Sequence, residues 1–548
     1  MDYWLDALES RSAGTPSLHQ FGISSASLHA WDEELELLNC LMRAARLKRN
    51  GLSPTAALPP ETLAHIFELL SKGQTYDSNG RAEWSFMAVS HVCTRWRNIA
   101  ITTPSLWTHL SPSRGGPPWE VSILRSGCLP LSVDGSFWND FRETLDGRQV
   151  VDNLHRIREL KLSVMNNGDP FPAYFAKRVS RDTTPQLATL ILAESPNSYN
   201  TPVDIPFMWR LDDLPLGLEH LMMSPGLIAW SPFASNNLRY LDLCGGSSLS
   251  QAATFVARYL AKVDLSDVLR SLRSIPRLEY LRLDSALPSA DAPDSEDAQN
   301  RVELPHLRTF YVRDEAHRCV QLWSMLQLNP LCSVQVICTS ITRTDELEAT
   351  IRSHFMTGEV IPFRRASVTT VSRNRNLAYS IITIELSYTD TPTVYREKCA
   401  SRAEDGPPGF FVATSTTFHL EIESIFENAQ ATVNRQSLLL AVPLTHVAHL
   451  TLGLPLSVET TRAVLRRAHS VTTLVSAAGL VGDVNQGWIS VCLALSDGAL
   501  YEENPLLPAL ETLTFMDAEA FYEGSPLSRR GEPARAVDRA PYSSSQAT

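Results

Sequence analysis

LPPETLAHIFELL, Leu58 to Leu70, and VSHVCTRWRNIAITTPSLWTHL, Val89 to Leu110, carry the densest structural information in the chain. Pro59 and Pro60 open a first helix, at positions where a missing N–H costs nothing. Leu63, Ile66, Phe67 and Leu70 then recur at i, i+3, i+4 and i+7, which is one apolar helix face. A polar run from Lys72 to Gly80 interrupts the pattern. Beyond it, Phe86, Val89, Cys93, Trp96 and Ala100 predict a second helix, ended by Thr103-Pro104, and Ser105-Leu106-Trp107 begins a third short turn. About fifty residues in three short helices sit at the margin of independent folding, because they bury too little surface. Leu58, Pro59, Ile66 and Phe67 carry more apolar surface than such a bundle hides. Either a partner completes the core, or these residues belong to a larger helical domain.

The ordered set Leu58-Pro59, Ile66-Phe67, Val92-Cys93-Thr94-Arg95-Trp96 and Leu106-Trp107 resembles an F-box. The wording of both stretches is similar to the F-box-like proteins abundant in mushroom-forming fungi, which often carry a helix ahead of the motif. The resemblance covers residues 54–110 and departs from the family in a long loop around Lys72–Glu83. It implies a partner, the Skp-family adaptor that links an F-box chain to a cullin. The docking residues it implies are Leu58, Pro59, Leu63, Ile66, Phe67, Val92, Cys93, Trp96, Leu106 and Trp107.

Upstream, residues 1–30 are rich in Ser, His and Gly and are expected to be loosely ordered. From Trp31 an amphipathic helix over 31–50 is expected, with Leu35, Leu38, Leu41, Met42 and Ala45 on one stripe. Its acids come first (Asp32, Glu33, Glu34) and its bases last (Arg43, Arg46, Lys48, Arg49), which suits the helix dipole, and Asn50-Gly51 stops it. Residues 111–150 read as a connector.

Downstream, the pattern apolar-x-x-apolar-x-apolar keeps returning. It stands at Ile157/Leu160/Leu162, Leu187/Leu190/Leu192, Leu218/Leu221/Met223, Leu238/Leu241/Leu243, Leu278/Leu281/Leu283 and Leu307/Phe310/Val312. It returns at Val447/Leu450/Leu452, at Val471/Leu474 and at Leu510/Leu513/Phe515. The pattern resembles leucine-rich repeats, in which one short strand per turn stacks into a solenoid. The usual Asn or Cys after the last Leu is absent; Met165, Ser195, Gly226, Gly246, Ala286 and Glu315 stand there, so the turns must satisfy their backbone groups otherwise. Residues 151–523 are read as this repeat-like region. Within it 330–440 is irregular: either degenerate repeats (Val368/Val371, Ile381/Ile384/Leu386) or a separate small α/β unit. If the strands stack, the residue between the last two apolar positions faces outward onto a concave surface. That row is Lys161, Ile191, Met222, Asp242, Arg282, Tyr311, Thr451 and Thr514. Mixed in size and sign, it suits a protein target, with Lys161, Met222, Asp242, Arg282 and Tyr311 as candidate contacts. Pro288–Asp297 and Glu404–Gly409 read as loops, Ser295 as a phosphorylation candidate, and 524–548 as a disordered tail.

Composition fixes what remains. Apolar residues make up 44% of 548, too many for wholesale disorder. The net charge is −12, and residues 1–110 hold 9 Lys/Arg against 11 Asp/Glu, so no basic half is concealed and nucleic acid is not an expected partner. The nine cysteines form no C-x-x-C pair and are expected to be free thiols in a reducing compartment. Met1 to Asp6 is acidic where a secretion signal would be basic. Gln436 to Val458 lacks Asp, Glu, Lys and Arg, but its prolines, histidines and glycine read as strand, turn and strand rather than a membrane span. No phosphate loop, nucleophile elbow or His-Glu-x-x-His occurs. His446 and His449 would lie on opposite faces of one strand, so no metal or other cofactor is expected. The expected fold is α+β, a small three-helix F-box followed by an irregular leucine-rich-repeat-like α/β solenoid. The expected function is a non-enzymatic substrate receptor of a ubiquitin ligase, in the cytoplasm, the nucleus or both. An interaction protein outside a ligase, or an orphan enzyme on a repeat scaffold, is the alternative.

Overall fold

The computed structural model describes residues 2–13, 25–72, 88–110, 119–137, 145–164, 178–179, 183–194, 209–223, 228–233, 236–244, 264–288, 301–329, 331–339, 344–356, 363–372, 380–387, 417–424, 437–453, 456–477, 486–501 and 506–516. The polar loop at 72–83, Phe86, the loops at 289–297 and 404–409 with Ser295, and the tail at 524–548 therefore lie outside the described residues, apart from Lys72. The fold is mixed α+β, with several helices and one large β-sheet, and it divides into two compact units, 1–131 and 132–548.

The first unit is helical. Asp2–Ser12 forms α1, inside a segment expected to be loosely ordered, and α2 runs from Ser25 to Gly51, six residues earlier than its apolar stripe suggested. Arg11 of α1 pairs with Glu34 of α2 at 2.5 Å, a contact no periodicity announces. Pro54–Ala57 is a 3-10 turn, with the Ser53 side chain accepting from the Thr55 N–H. Pro60–Lys72 is α3, whose first bond runs from the Leu63 N–H to the Pro59 carbonyl. The second expected helix is shorter than its spacing implied. Ala88 and Val89 are helical, a turn follows over 90–92, and Cys93 is extended at φ −158°, ψ 168°, so α4 begins at Thr94 and ends at Thr102. Two turn bonds, His91 N–H to Ala88 and Val92 N–H to Val89, close this break. The third element is a 3-10 turn, Pro104–Trp107, rather than an α-helix, because Pro104 at its start follows Thr103 in extended conformation. Trp119–Arg125 forms α5.

The second unit is organised by its sheet. Its strands are β1 Leu131–Phe137, β2 Ile157–Val164, β3 Thr189–Glu194, β4 His220–Met223, β5 Tyr240–Cys244, β6 Tyr280–Asp284, β7 Thr309–Asp314 and β8 Ser333–Cys338. Then come β9 Arg365–Ser372, β10 Ser380–Ser387, β11 Thr417–Ser424, β12 His449–Gly453, β13 Thr473–Ala477 and β14 Thr512–Met516. Neighbours follow chain order from β1 to β8; the order then runs β11, β10, β9, β12, β13, β14. Pairing from β2 to β8 is parallel. Strand β11 joins β8 in parallel, β10 is antiparallel to both its neighbours, and β9 meets β12 in parallel. Within 330–440, β8 and β11 continue the parallel stack, β9 pairs in parallel with β12, and only β10 runs antiparallel to its neighbours, all in the same sheet.

In-register pairing stacks the repeating apolar positions into one column: Leu160, Leu190, Leu221, Leu241, Leu281, Phe310, Val334 and Phe418. All are buried, as are Leu187, Leu218, Leu238, Leu278 and Leu307 three positions before their members of the column. Each buried leucine contributes about 1.5–3 kcal/mol relative to exposure. Helices Leu265–Arg273 (α6), Ala316–Met325 (α7), Thr344–Met356 (α8), Val458–Arg467 (α9) and Gln486–Tyr501 (α10) lie between strands in sequence. On α6 the apolar side chains Leu265, Val268, Leu269 and Leu272 are all buried, while Arg270 and Asp267 pair outside.

Two local devices satisfy or align groups at the strand ends. The Asp314 carboxylate accepts from the backbone N–H groups of Leu287 (3.2 Å) and Glu315 (2.8 Å) and from Arg318 (3.3 Å). Ahead of the strands, Glu219, Arg239, Glu279 and Arg308 line up through backbone bonds, and Arg239 reaches Glu279 at 3.2 Å. The uncharged stretch from 436 begins as helix over 437–441 and reaches its strand only at His449; His446 sits in the turn before it. No helix among the described residues is long and apolar enough to cross a membrane.

Candidate functional site

In the first unit, Leu63, Phe67, Val89, Ala100, Leu106 and Trp107 form a sealed core, with Leu58, Trp96, Ile99 and Val121 packed against it. Phe67 meets Trp96 at 5.3 Å between ring centroids. The Trp107 indole N–H donates to the Ala100 carbonyl at 2.8 Å, and the Arg125 guanidinium lies 4.3 Å from the Trp107 ring centroid. The 3-10 turn before α3 is tied across the module by Arg95, which donates to the carbonyls of Ala56 (2.6 Å) and Leu58. Ser105 donates to the Glu68 carboxylate, joining the last turn to α3.

The apolar face read from the sequence therefore splits in two. Of the ten expected docking residues, Leu63, Phe67, Leu106 and Trp107 are buried inside the module and have no surface to offer. Leu58, Cys93 and Trp96 are half-buried at its margin, whereas Pro59, Ile66 and Val92 are exposed, Val92 at 57%. The physical reason is geometry: side chains at i and i+4 share the inner line of a helix, and i+3 is rotated off it. Sequence reasoning missed Arg95, although it stands inside the quoted motif. It also missed Leu69, which is 58% exposed and breaks the i, i+3, i+4 rule that flagged its neighbours. Pro59, Ile66, Leu69, Leu70 and Val92 thus leave apolar side chains exposed beside a sealed core among the described residues.

The second unit holds the other set of candidates. Register pairs Lys161 with Ile191, Ile191 with Met222, Met222 with Asp242, Asp242 with Arg282, and Arg282 with Tyr311. The same row continues through Gln335, His419, Glu385, Ser367, Thr451, Val475 and Thr514. All eight residues expected on one surface thus share one row. Their exposure differs from expectation. Ile191, Met222, Asp242, Arg282, Tyr311 and Thr451 are buried, and only Lys161 and Thr514, towards the two ends, keep partial access to solvent. In an in-register sheet each side chain is flanked on both sides within about 5 Å. The Arg282 guanidinium carbon lies 4.8 Å from the Tyr311 ring centroid, and Tyr240 stacks on Tyr280 at 4.1 Å one row away.

Charge in this row is tightly arranged. Arg282 lies 3.9 Å from Asp242 and 3.5 Å from Asp284, and the Cys244 thiol is 3.8 Å from Asp284. Burial pushes the Asp242 carboxyl up to about 6, with Arg282 pulling it back and Asp284 adding to the rise. Burial likewise raises Asp284, and it pushes the Tyr280 hydroxyl up to about 12. Burial works against the Arg282 charge, yet Asp242 and its other neighbours hold the guanidinium above its ordinary value. Asp242 is 2% exposed; its Oδ1 and the Arg282 Nε have no hydrogen-bond partner among the described residues. Among those residues no cluster of three or more His, Cys, Asp or Glu could hold a metal ion, and the eight described cysteines are free thiols.

Residues 55–113 match the F-box-like family model. No curated protein matches the chain. An F-box-like domain thus occupies the module whose core and exposed face are described above, and it supports a protein–protein interaction role. F-box-like domains are non-catalytic adaptors, and they generally implicate a Skp-family partner.

Proposed function

We propose that the chain is the substrate-recognition subunit of a Skp–cullin–F-box ubiquitin ligase. The observation that carries this reading is the coincidence of the F-box-like match with exposed apolar side chains outside a sealed core. Pro59, Ile66 and Val92, with Leu69 and Leu70 beside them, would meet the adaptor, while Leu58, Cys93 and Trp96 form the margin of the contact. Leu63, Phe67, Leu106 and Trp107 would act from inside by holding that surface in shape. The wording of 58–70 and 89–110 supports placing the module with the fungal type.

Residues 151–523 are inferred to be an irregular leucine-rich-repeat-like region that holds the target protein. The in-register apolar column supports this, as do the short, mostly parallel strands returning every few tens of residues. The target would engage the row from Lys161 through Met222, Asp242 and Arg282 to Tyr311. The chain itself would supply proximity and orientation, with catalysis in other subunits, no cofactor of its own, and a place in the cytoplasm, the nucleus or both.

Co-purification of the full chain with a Skp-family adaptor tests the reading, wild type against Leu58→Ala/Pro59→Ala. Capture of the wild type and its loss in the double variant is expected. Failure of the wild type to capture the adaptor would sink the ligase reading. Undiminished capture by the variant would move the contact away from the start of α3.

A further inference from the structure

Helix α2 presents a second apolar surface, independent of the F-box-like core. Leu28, Trp31, Leu35, Leu38, Met42 and Ala45 are spaced 3, 4, 3, 4 and 3 residues apart, the seam pattern of a two-helix coiled coil. The seam lies open: Leu28 is 57%, Leu35 54% and Met42 50% exposed. The half-buried line on α2 is Ala30, Glu34 and Leu38, where Arg11 reaches Glu34, so of the seam only Leu38 is partly covered while Leu28, Trp31, Leu35, Met42 and Ala45 stay exposed. Charge is divided along the same helix. The four acids Asp32, Glu33, Glu34 and Glu36 occupy its first half, and the four bases Arg43, Arg46, Lys48 and Arg49 its second.

We propose that α2 pairs antiparallel with α2 of a second copy of this chain, making the full protein a two-fold symmetric dimer. The division of charge selects both the occupant and the direction. Two copies side by side in parallel would set acids against acids and bases against bases along about 40 Å of helix. Reversing one copy about a midpoint near Cys40 sets each acidic half against a basic half. One register then satisfies seam and flanks together. Leu35 faces Ala45 of the second copy and Leu38 faces its Met42, while Asp32 lies beside its Arg46 and Glu34 beside its Lys48. Such a contact is isologous, so every pair is made twice and the assembly closes at two chains. In this register Leu35, Leu38, Met42 and Ala45 of both copies form the apolar contact that supplies the association energy, and the flanking charges set direction. Glu34 keeps its tie to Arg11 and serves as the shared acid between α1 and the incoming lysine.

Sedimentation equilibrium of the full chain over a concentration series tests this. The wild type is expected at twice its 60.8 kDa chain mass, and Leu35→Glu/Met42→Glu at the mass of one chain. Two charge variants make the direction testable. Asp32→Lys/Glu34→Lys and Arg46→Glu/Lys48→Glu should each weaken self-association about tenfold or more, since each turns four attractions into repulsions. An equimolar mixture of the two variants should restore the dimer, which also shows that both remain folded. A wild type that stays monomeric throughout the series overturns the proposal. So does a dimer that either charge variant leaves unchanged, or a larger assembly insensitive to every α2 substitution.

Discussion

The helical unit and the sheet unit treat their apolar residues in opposite ways. Most of the large hydrophobic side chains left exposed among the described residues lie before residue 130, on α2, on α3 and around the 90–92 turn. In the sheet unit the equivalent side chains are buried in a register-locked column, and exposure returns only in a few places, such as Leu513 and Phe515 on the edge strand β14. The comparison sets a sealed sheet beside a helical unit whose F-box-like domain supports a protein–protein interaction role.

The largest expected effect breaks the sheet. Phe310→Ala removes a fully buried ring from the middle of the column and should cost about 3–5 kcal/mol. Urea denaturation followed by intrinsic fluorescence would show the loss, and adaptor capture at low temperature should persist. Next comes the exposed face of α3 and the turn after it. Ile66→Asp/Val92→Asp should weaken adaptor binding by about 2 kcal/mol or more, roughly thirtyfold, with no shift in thermal unfolding. A drop in melting temperature of the size seen for Phe310→Ala would mean that these side chains are core after all. Arg95→Ala should fall between the two regimes. It orphans the Ala56 and Leu58 carbonyls, so about 1–3 kcal/mol of module stability should go, and adaptor affinity with it.

The smallest effect concerns pH and belongs to the sheet unit. His354 lies among Trp323, Phe355 and Phe418, and burial lowers its imidazole to about 4 from an ordinary 6.5. The unfolded chain therefore takes up this proton first. Stability from the neutral ring is fully present above the unfolded value and is lost as pH falls from about 6.5 towards 4. Denaturation midpoints of the wild type should decline across that window more steeply than those of His354→Gln. Equal slopes would remove His354 from the account.

How much of this was legible in sequence differs between the units for a physical reason. A strand has period two, so Leu160 and Leu162 declare one face and Lys161 the other, and the stacking of eight such positions on one row followed directly. What sequence could not supply was their burial, since Asp242, Arg282 and Tyr311 cover one another only once neighbouring strands are in register. Two further copies of the pattern, Leu331/Val334/Val336 and Phe363/Ala366/Val368, passed unnoticed because valine and alanine replace leucine. In the helical unit, periodicity found α3 but did not divide Leu63 and Phe67 from Ile66, because four apolar residues in two turns span both the inner and the outer line. Cys93 fitted the heptad-like spacing of a continuous helix, yet its backbone is extended; spacing alone does not register a break of one residue.

Hydrogen exchange of the full chain, with and without a Skp-family adaptor, tests the central claim most directly. The account predicts protection confined to residues 55–113, centred on α3 and the turn at 90–93, with the sheet strands unchanged. Protection centred on the sheet, or none anywhere at saturating adaptor, would contradict it.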